Sequence, residues 1–381
     1  MAEPWQERGF GLYVHWPFCA AKCPYCDFNS HVRAAVNQTK WADALATEIR
    51  RAGADTGRRV LNSIFFGGGT PSLMEPETVK AVIDAARDVW HFANNIEITL
   101  EANPTSVEAH RFEGYASHGV NRISLGVQAL NNADLRKLGR LHSVEEAQSA
   151  FQVARSFFDR VSFDLIYARQ NQTLEDWRVE LSTALDMAVD HLSLYQLTIE
   201  EGTAFWDRAQ RGSLKGLPTD DLGADLYDLT QQLCNNAGLP SYEVSNHARP
   251  GAESVHNLIY WRGGDYVGVG PGAHGRLTLD GQRSATECWK QPEAWLSAVS
   301  KGSGVKIRET LPPQDIAEER LIMGMRLLEG LDIEDIDHII DQQRFERLLE
   351  DGFVWSQNGR IGATAQGRPM LNHLIAQIVK S

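Results

Sequence analysis

The chain alternates two periodicities. Short runs that read as strands fall at 10–16 (F-G-L-Y-V-H-W), 61–66 (L-N-S-I-F-F), 95–100 (N-I-E-I-T-L), 121–127 (N-R-I-S-L-G-V), 160–166 (R-V-S-F-D-L-I) and 191–197 (H-L-S-L-Y-Q-L). Between them lie helical patterns. Trp41, Leu45 and Ile49 mark one over 39–52, and Pro76 opens another that runs to Trp90. Others follow at about 105–118, 143–157 and 173–188, and a further helix covers 220–236 and stops before Gly238. Six strand-helix units in a row imply an α/β fold with a parallel sheet and right-handed crossovers. Six is short of the eight that close a TIM barrel, so the expected form is an open, partial (β/α)6 barrel. The first nine residues read as a loose polar lead-in.

The composition shifts at about Val305. Residues 314–329, 332–339 and 341–351 read as three short helices, followed by a hairpin turning at Asn358-Gly359 and a last helix carrying Met370, Leu371, Leu374, Ile375 and Ile378. Three helices and a hairpin describe a winged-helix-like α+β domain. The segment D-Q-Q-R-F-E-R-L-L-E is not basic, which argues against DNA and for a lid or a protein-docking surface. The expected division is 1–240 barrel, 241–304 connecting segment and 305–381 C-terminal domain.

Composition narrows the function classes. The 381 residues carry a net charge of −13, which disfavours a general nucleic-acid binder. No apolar run approaches a membrane span; peripheral membrane contact stays open. Five cysteines and no export signal point to a reducing cytoplasm rather than a disulfide framework.

Three of those cysteines carry the chemistry. Cys19, Cys23 and Cys26 stand in a C-x3-C-x2-C spacing within Y-V-H-W-P-F-C-A-A-K-C-P-Y-C-D-F-N, and Pro17 and Pro24 shape the loop. A [4Fe-4S] cluster normally takes four cysteines, so three leave one iron open. The competing reading is a Cys3His zinc site completed by His15 or His31. Working residues of such barrels sit at the C-terminal ends of strands, and unusual residues recur there. They are the cysteine loop, Gly67 to Pro71 (G-G-G-T-P), Glu101, Gln128 with Arg140 downstream, and Asp164 followed by Tyr167. Glycines let a ligand approach the backbone, acids accept from a ribose or an ammonium, and an arginine forks a carboxylate. Together they describe a zwitterion-plus-ribose ligand beside a metal cluster, S-adenosylmethionine.

The cysteine spacing, with Tyr25 before the last cysteine, resembles the radical S-adenosylmethionine (SAM) signature. The longer strings Y-V-H-W-P-F-C and C-P-Y-C-D-F-N-S-H resemble the branch that holds oxygen-independent coproporphyrinogen III oxidases and HemW-type haem chaperones. The resemblance implies a partial radical SAM barrel and a [4Fe-4S] cluster on Cys19, Cys23 and Cys26. It implies SAM contacts at Tyr13, Tyr25, Gly68, Gly69, Thr70, Glu101, Gln128, Arg140 and Asp164. It implies reductive cleavage of SAM to a 5'-deoxyadenosyl radical. Two features depart from the oxidases: Phe28 stands where they carry a further cysteine, and few residues precede Tyr13. H-N-L-I-Y-W, His256 to Trp261, resembles the H-N-x-x-Y-W motif of the chaperone subgroup, which binds haem and delivers it to haem proteins such as respiratory cytochromes. The alternative is oxidative decarboxylation of coproporphyrinogen III.

On this reading His256 is a candidate axial ligand of haem iron, and Tyr260 and Trp261 are candidates to pack on the porphyrin. The competing reading makes them closers of the barrel's open side. The glycine-dense stretch Gly264 to Gly275 reads as a turn-rich loop at the mouth of the site, with His274 a second haem-ligand candidate. Cys234 reads as core, and Cys288 as core or a free thiol.

Overall fold

The computed structural model describes residues 3–380. Six parallel strands appear where the alternation put them: β1 (Phe10–Trp16), β2 (Val60–Gly68), β3 (His91–Ala102), β4 (Arg122–Gln128), β5 (Arg160–Tyr167) and β6 (His191–Gln196). They pair in chain order. The period of two splits each strand into two faces. Leu12, Val14 and Trp16, Ile64 and Phe66, Ile98 and Leu100, and Phe163 and Leu165 are buried in the main hydrophobic core together with Leu45, Ile49, Val82, Phe151 and Trp177 of the helices. Apart from Phe65, the alternate positions are mostly polar or small: Gly11, Tyr13 and His15; Ser63 and Gly67; Glu97, Thr99 and Glu101; Arg122, Ser124 and Gly126; Ser162 and Asp164; His191 and Ser193. These line an inner face. One cavity is walled by Tyr13 of β1 and Ser193 of β6. In a flat sheet strands that far apart would stand about 24 Å from each other, so the sheet curls. Its edges stay unpaired, which leaves a partial barrel.

Beyond β6 the sheet continues with the short antiparallel β7 (Asn246–Ala248). On the other side of β1 lie β8 (Asp265–Val269), β9 (His274–Leu279), β10 (Gln282–Cys288) and β11 (Val305–Thr310). The segment expected as a connection thus builds four of the eleven strands together with the first residues of the expected C-terminal domain. The stretch read as a turn-rich loop holds a seventh parallel strand, β8, paired with β1 from Phe10↔Asp265 to Val14↔Val269. Two of its glycines serve close approach. A Cβ on Gly268 would stand 2.0 Å from the His274 carbonyl, and one on Gly270 would stand 2.2 Å from that of His15.

Other sequence expectations shift locally. Residues 105–118 form two short helices, Ser106–Ala109 and Phe112–Ser117. The lead-in holds a helix, Pro4–Arg8, whose Trp5 packs on the main core and meets Arg59 at 5.1 Å. The C-terminal part has its own core of Leu321, Ile336, Phe345, Ile361, Leu374 and Ile378. Its hairpin turns at Asn358-Gly359, both with positive φ (53° and 75°), as a two-residue turn requires. The middle of its three expected helices is two 3-10 turns, Ile333–Asp335 and Asp337–Ile339. Leu331 is drawn into pairing with Ile361, and Asp335 accepts from Arg8 and Arg320, which fixes that segment before a helix can run. No helix among the described residues is long and apolar enough to cross a membrane.

One ion cluster ties the added strands to the barrel. Asp265 is fully buried and accepts from Arg59 (2.7 Å), Arg283 (2.9 Å), the Thr278 amide (2.7 Å) and the Thr278 hydroxyl (3.0 Å). Removing one partner of such a cluster leaves buried charge uncompensated. Asp265→Ala is therefore expected to lose about 3–5 kcal/mol of stability in denaturant unfolding; a loss within error of zero would show that the cluster ties nothing.

Candidate functional site

The cysteine loop leaves the C-terminal end of β1. It is fixed by a small parallel bridge, Phe18–Cys19 against His31–Val32, and by the His31 amide donating to the Pro17 carbonyl at 2.7 Å. Cys19 is buried and takes the Thr70 hydroxyl at 3.5 Å. Cys23 lies 3.5 Å from Arg140 Nη1. Burial pushes the Cys19 and Cys26 thiols up, with smaller opposing pulls from Thr70 on Cys19 and from the Phe28 backbone on Cys26. Among the described residues no three Cys, His, Asp or Glu side chains converge on one point. Of the two histidines that could complete a Cys3His site, His15 has both nitrogens in use: Nδ1 meets Tyr13 Oη at 3.0 Å and Nε2 meets the Asn29 carbonyl at 2.9 Å.

All three cysteines line one cavity of about 150 Å³, and so do Tyr25, Gly68, Gly69, Thr70, Glu101, Gln128, Arg140 and Asp164. The residues come from five different strands and the loops that follow them, as the strand-end logic anticipated. Tyr13 lines the neighbouring cavity instead. The glycines are there for space. A Cβ on Gly69 would stand 2.7 Å from the Phe18 carbonyl and 3.0 Å from Cys19 Sγ. Gly68 has φ +111°, and a Cβ there would meet the His15 ring at 2.7 Å. Gln128 holds φ 70° at the end of β4, a conformation that non-glycine residues rarely adopt and that recurs at functional sites.

Arg140 is partly buried in the wall. Its Nη2 donates to Asn103 Oδ1 (2.6 Å) and to the Gly126 carbonyl (2.8 Å), while its buried Nε has no partner. Asn103 also donates to Thr70 Oγ1 at 3.2 Å. Asn103 and Gly126 were missed in the sequence. Asn103 stands in the strand-end string E-A-N-P and was open to the same argument as Glu101; nothing in the sequence marks Gly126.

Two carboxyl groups face the cavity with little compensation. Burial first, then repulsion from Asp164, raises Glu101 to about 8. Burial raises Asp164 to about 6, against hydrogen bonds from Ser193 and Ser124 and the nearby guanidinium groups of Arg122 and Arg140. Burial and Glu101 push the Tyr13 phenol far up, so it stays neutral. A ligand bringing hydroxyl donors and an ammonium would satisfy both acids, and a ligand carboxylate would satisfy Arg140 Nε. The donor set thus fits SAM, and the three thiols fit an iron-sulfur cluster.

A second cavity, of about 890 Å³, adjoins the first. Gly68, Glu101, Ser124, Asp164, Lys22 and Phe28 wall both. Its deep end is closed by the helix Val255–Trp261, which carries the H-N-L-I-Y-W motif. The His256 ring is fully buried, with Nδ1 at 2.7 Å from Ser63 Oγ and Nε2 at 2.8 Å from Tyr260 Oη. Its amide and the Ser254 hydroxyl both donate to Glu97 Oε1 at 3.2 Å, and Glu97 Oε2 takes Arg160 at 3.0 Å. The ring lies on Phe65 at 5.0 Å and 23°. Burial lowers its basicity to about 3. His256 as placed has both ring nitrogens hydrogen-bonded, the arrangement expected of a closer of the barrel. Asn257 and Tyr260 do line the cavity. Trp261 turns toward Arg326 of the C-terminal part, 5.9 Å away. Cys234 and Cys288 are both fully buried.

Comparison with known proteins agrees with this geometry. The family model for the radical SAM superfamily matches residues 13–182, and that for the HemN C-terminal domain matches 311–370. The heme chaperone HemW of Haemophilus influenzae is 36% identical over 377 residues, 96% of each chain. That of Escherichia coli is 39% identical over 326 residues, 84% of this chain and 83% of its own. The mouse mitochondrial radical S-adenosyl methionine domain-containing protein 1 is 42% identical over 321 residues, 83% of this chain and 72% of its own. Among solved structures, coproporphyrinogen III oxidase (HemN) of Escherichia coli superposes with a TM-score of 0.80 at 23% identity, covering 98% of this chain and 91% of that one, which is evidence for the fold. A radical SAM partial barrel, its C-terminal domain and this degree of identity over nearly the full length establish the kinship: the chain belongs to the radical SAM superfamily and, within it, to the HemW family.

Proposed function

We propose that the chain is a haem chaperone: it holds a [4Fe-4S] cluster on Cys19, Cys23 and Cys26, binds SAM beside it, takes up haem in the larger cavity and passes it to haem proteins. The observation that carries this reading is the continuity of the two cavities through Glu101, Asp164 and Gly68. At about 890 Å³ the second cavity lies within the ~300–1,000 Å³ range of small-molecule sites. The name heme chaperone of the bacterial relatives supports the cargo. Phe28, 56% exposed between the two cavities, supports a carrier over an oxidase, because it puts an apolar wall where the oxidases have a cysteine.

Each residue has a task in this reading. Thr70 orients the Cys19 thiolate, and Arg140 lies beside Cys23. The free Nε of Arg140 takes the ligand's carboxylate, while Glu101 and Asp164 accept from its ribose and ammonium. The Gly68-Gly69 backbone lets the ligand lie close. Tyr13 and Tyr25 keep water away. When bound, the cluster and SAM supply one-electron chemistry; the protein contributes orientation and a dry wall. Five unpaired thiols support a reducing, cytoplasmic setting.

Two measurements test the reading. Anaerobic protein with its cluster reconstituted, given SAM, reductant and coproporphyrinogen III, is expected to form no protoporphyrinogen and, in a parallel titration, to bind haem stoichiometrically; turnover without haem binding would make it an oxidase. The second concerns the acids. Glu101 keeps its proton up to about 8 in the folded chain and loses it at a lower pH when unfolded, so stability falls as pH rises through that window. In ligand-free protein Glu101→Gln is expected to raise the melting temperature over the parent by an amount that grows between about pH 5 and about pH 8. An equal difference at both pH values would show that Glu101 is not held protonated.

A further inference from the structure

We infer that haem iron is bound at the mouth of the larger cavity by His31 and His274, with Lys22 and Lys290 facing the propionates, and that His256 is a positioning residue. The inference rests on the haem reading above and concerns where the cargo is held.

The argument is one of free nitrogens. Iron needs an imidazole lone pair that no hydrogen bond already uses. Four histidines line the cavity: His15, His31, His191 and His274. His15 spends both nitrogens on Tyr13 and Asn29. His191 binds Tyr242 Oη through Nε2 at 3.0 Å and also has an unpartnered Nδ1, but it is 1% exposed and lies near the guanidinium groups of Arg122 and Arg160, which repel a metal cation. His256 does not reach the wall and has both nitrogens occupied. Two rings remain. The Nε2 of His31 is buried without a partner, which costs free energy until something bonds it. The ring of His274 is exposed on the cavity wall. Both are neighbours of His15, where their charges oppose its protonation. Burial also lowers the basicity of His274, which favours the neutral, ligating form.

Both rings stand on fixed backbone, as a metal site requires. His31 is bridged to Phe18, and its amide is tied to Pro17. His274 opens β9, opposite Glu287, and its carbonyl fills the space that Gly268 leaves. The surroundings suit a dianionic, flat, apolar macrocycle. Lys22 and Lys290 line the same cavity, and Phe28, Tyr260 and Tyr266 offer aromatic faces. The motif helix then has a mechanical role: His256 locks Tyr260 through its hydroxyl, and Tyr260 meets Tyr266 at 4.3 Å to form the cavity floor.

The test is the ligation state of ferric haem loaded onto the cluster-bearing protein under anaerobic conditions, read by magnetic circular dichroism and electron paramagnetic resonance. The parent is expected to show a histidine-ligated, low-spin haem. His31→Ala combined with His274→Ala is expected to lose that signature while keeping the cluster absorbance that reports a folded barrel. His256→Gln is expected to keep the signature. A double variant that retains the parent spectrum, or a His256→Gln variant that loses it, would overturn the placement. Failure of the parent to bind haem at all would overturn the haem reading itself, which separates the two. Lys22→Glu with Lys290→Glu is expected to weaken haem binding and leave the spin state alone; unchanged affinity would remove the lysines from the site.

Discussion

Two carboxyl groups held in a nearly dry wall, Glu101 and Asp164, set the terms for the rest of the molecule. Charging both without a partner is unfavourable, and the fold gives them only the Gly68 backbone, two serine hydroxyls and the nearby guanidinium groups in return. A protein keeps such groups where a ligand completes them. The parallel strands point these acids, the glycine turn and the cysteine loop at the same space. Arg140 adds the complementary charge, with one donor still unspent. The site is thus shaped for a molecule that is both zwitterion and polyol, and its nearest free volume is the larger cavity.

That larger cavity exists because the barrel is incomplete. Six strands with polar inner faces leave an opening that the main core cannot fill. The chain fills its deep end with the helix Val255–Trp261 and leaves the outer end open. The plug is held by polar bonds to Ser63 and Glu97 as well as by the packing of Ile259 and of the His256 ring on Phe65, so its histidine is engaged in the architecture. The C-terminal part reaches the same region through Arg326 on Trp261 and through the Arg8–Asp335–Arg320 pairs, which couples its position to that of the plug.

Much of this was legible in the sequence, for definable reasons. The six strands and the helix at 220–236 carry unambiguous periods, and the structure places that helix at Asp220–Asn236. The strand-end residues were legible because a parallel sheet opens all its C-terminal ends to one side. Strand β8 was hidden by its glycines, which look like turn residues until the carbonyl of His274 is seen against Gly268. The setting of His256 was hidden for a related reason. Its partners, Ser63 and Glu97, lie far away in the chain, and no local pattern announces them. Asn103 was within reach of the strand-end argument, whereas Gly126 is marked only by the Arg140 guanidinium that its carbonyl accepts.

The central claim is that this site carries haem and does not transform a porphyrinogen. The most direct measurement mixes the haem-loaded, cluster-bearing protein with an apo haem protein and follows the Soret band of each. The account predicts that haem leaves the carrier and appears in the acceptor in equal amount, with Phe28 and the open mouth as its exit. Haem that stays on the protein in the presence of excess acceptor would contradict it.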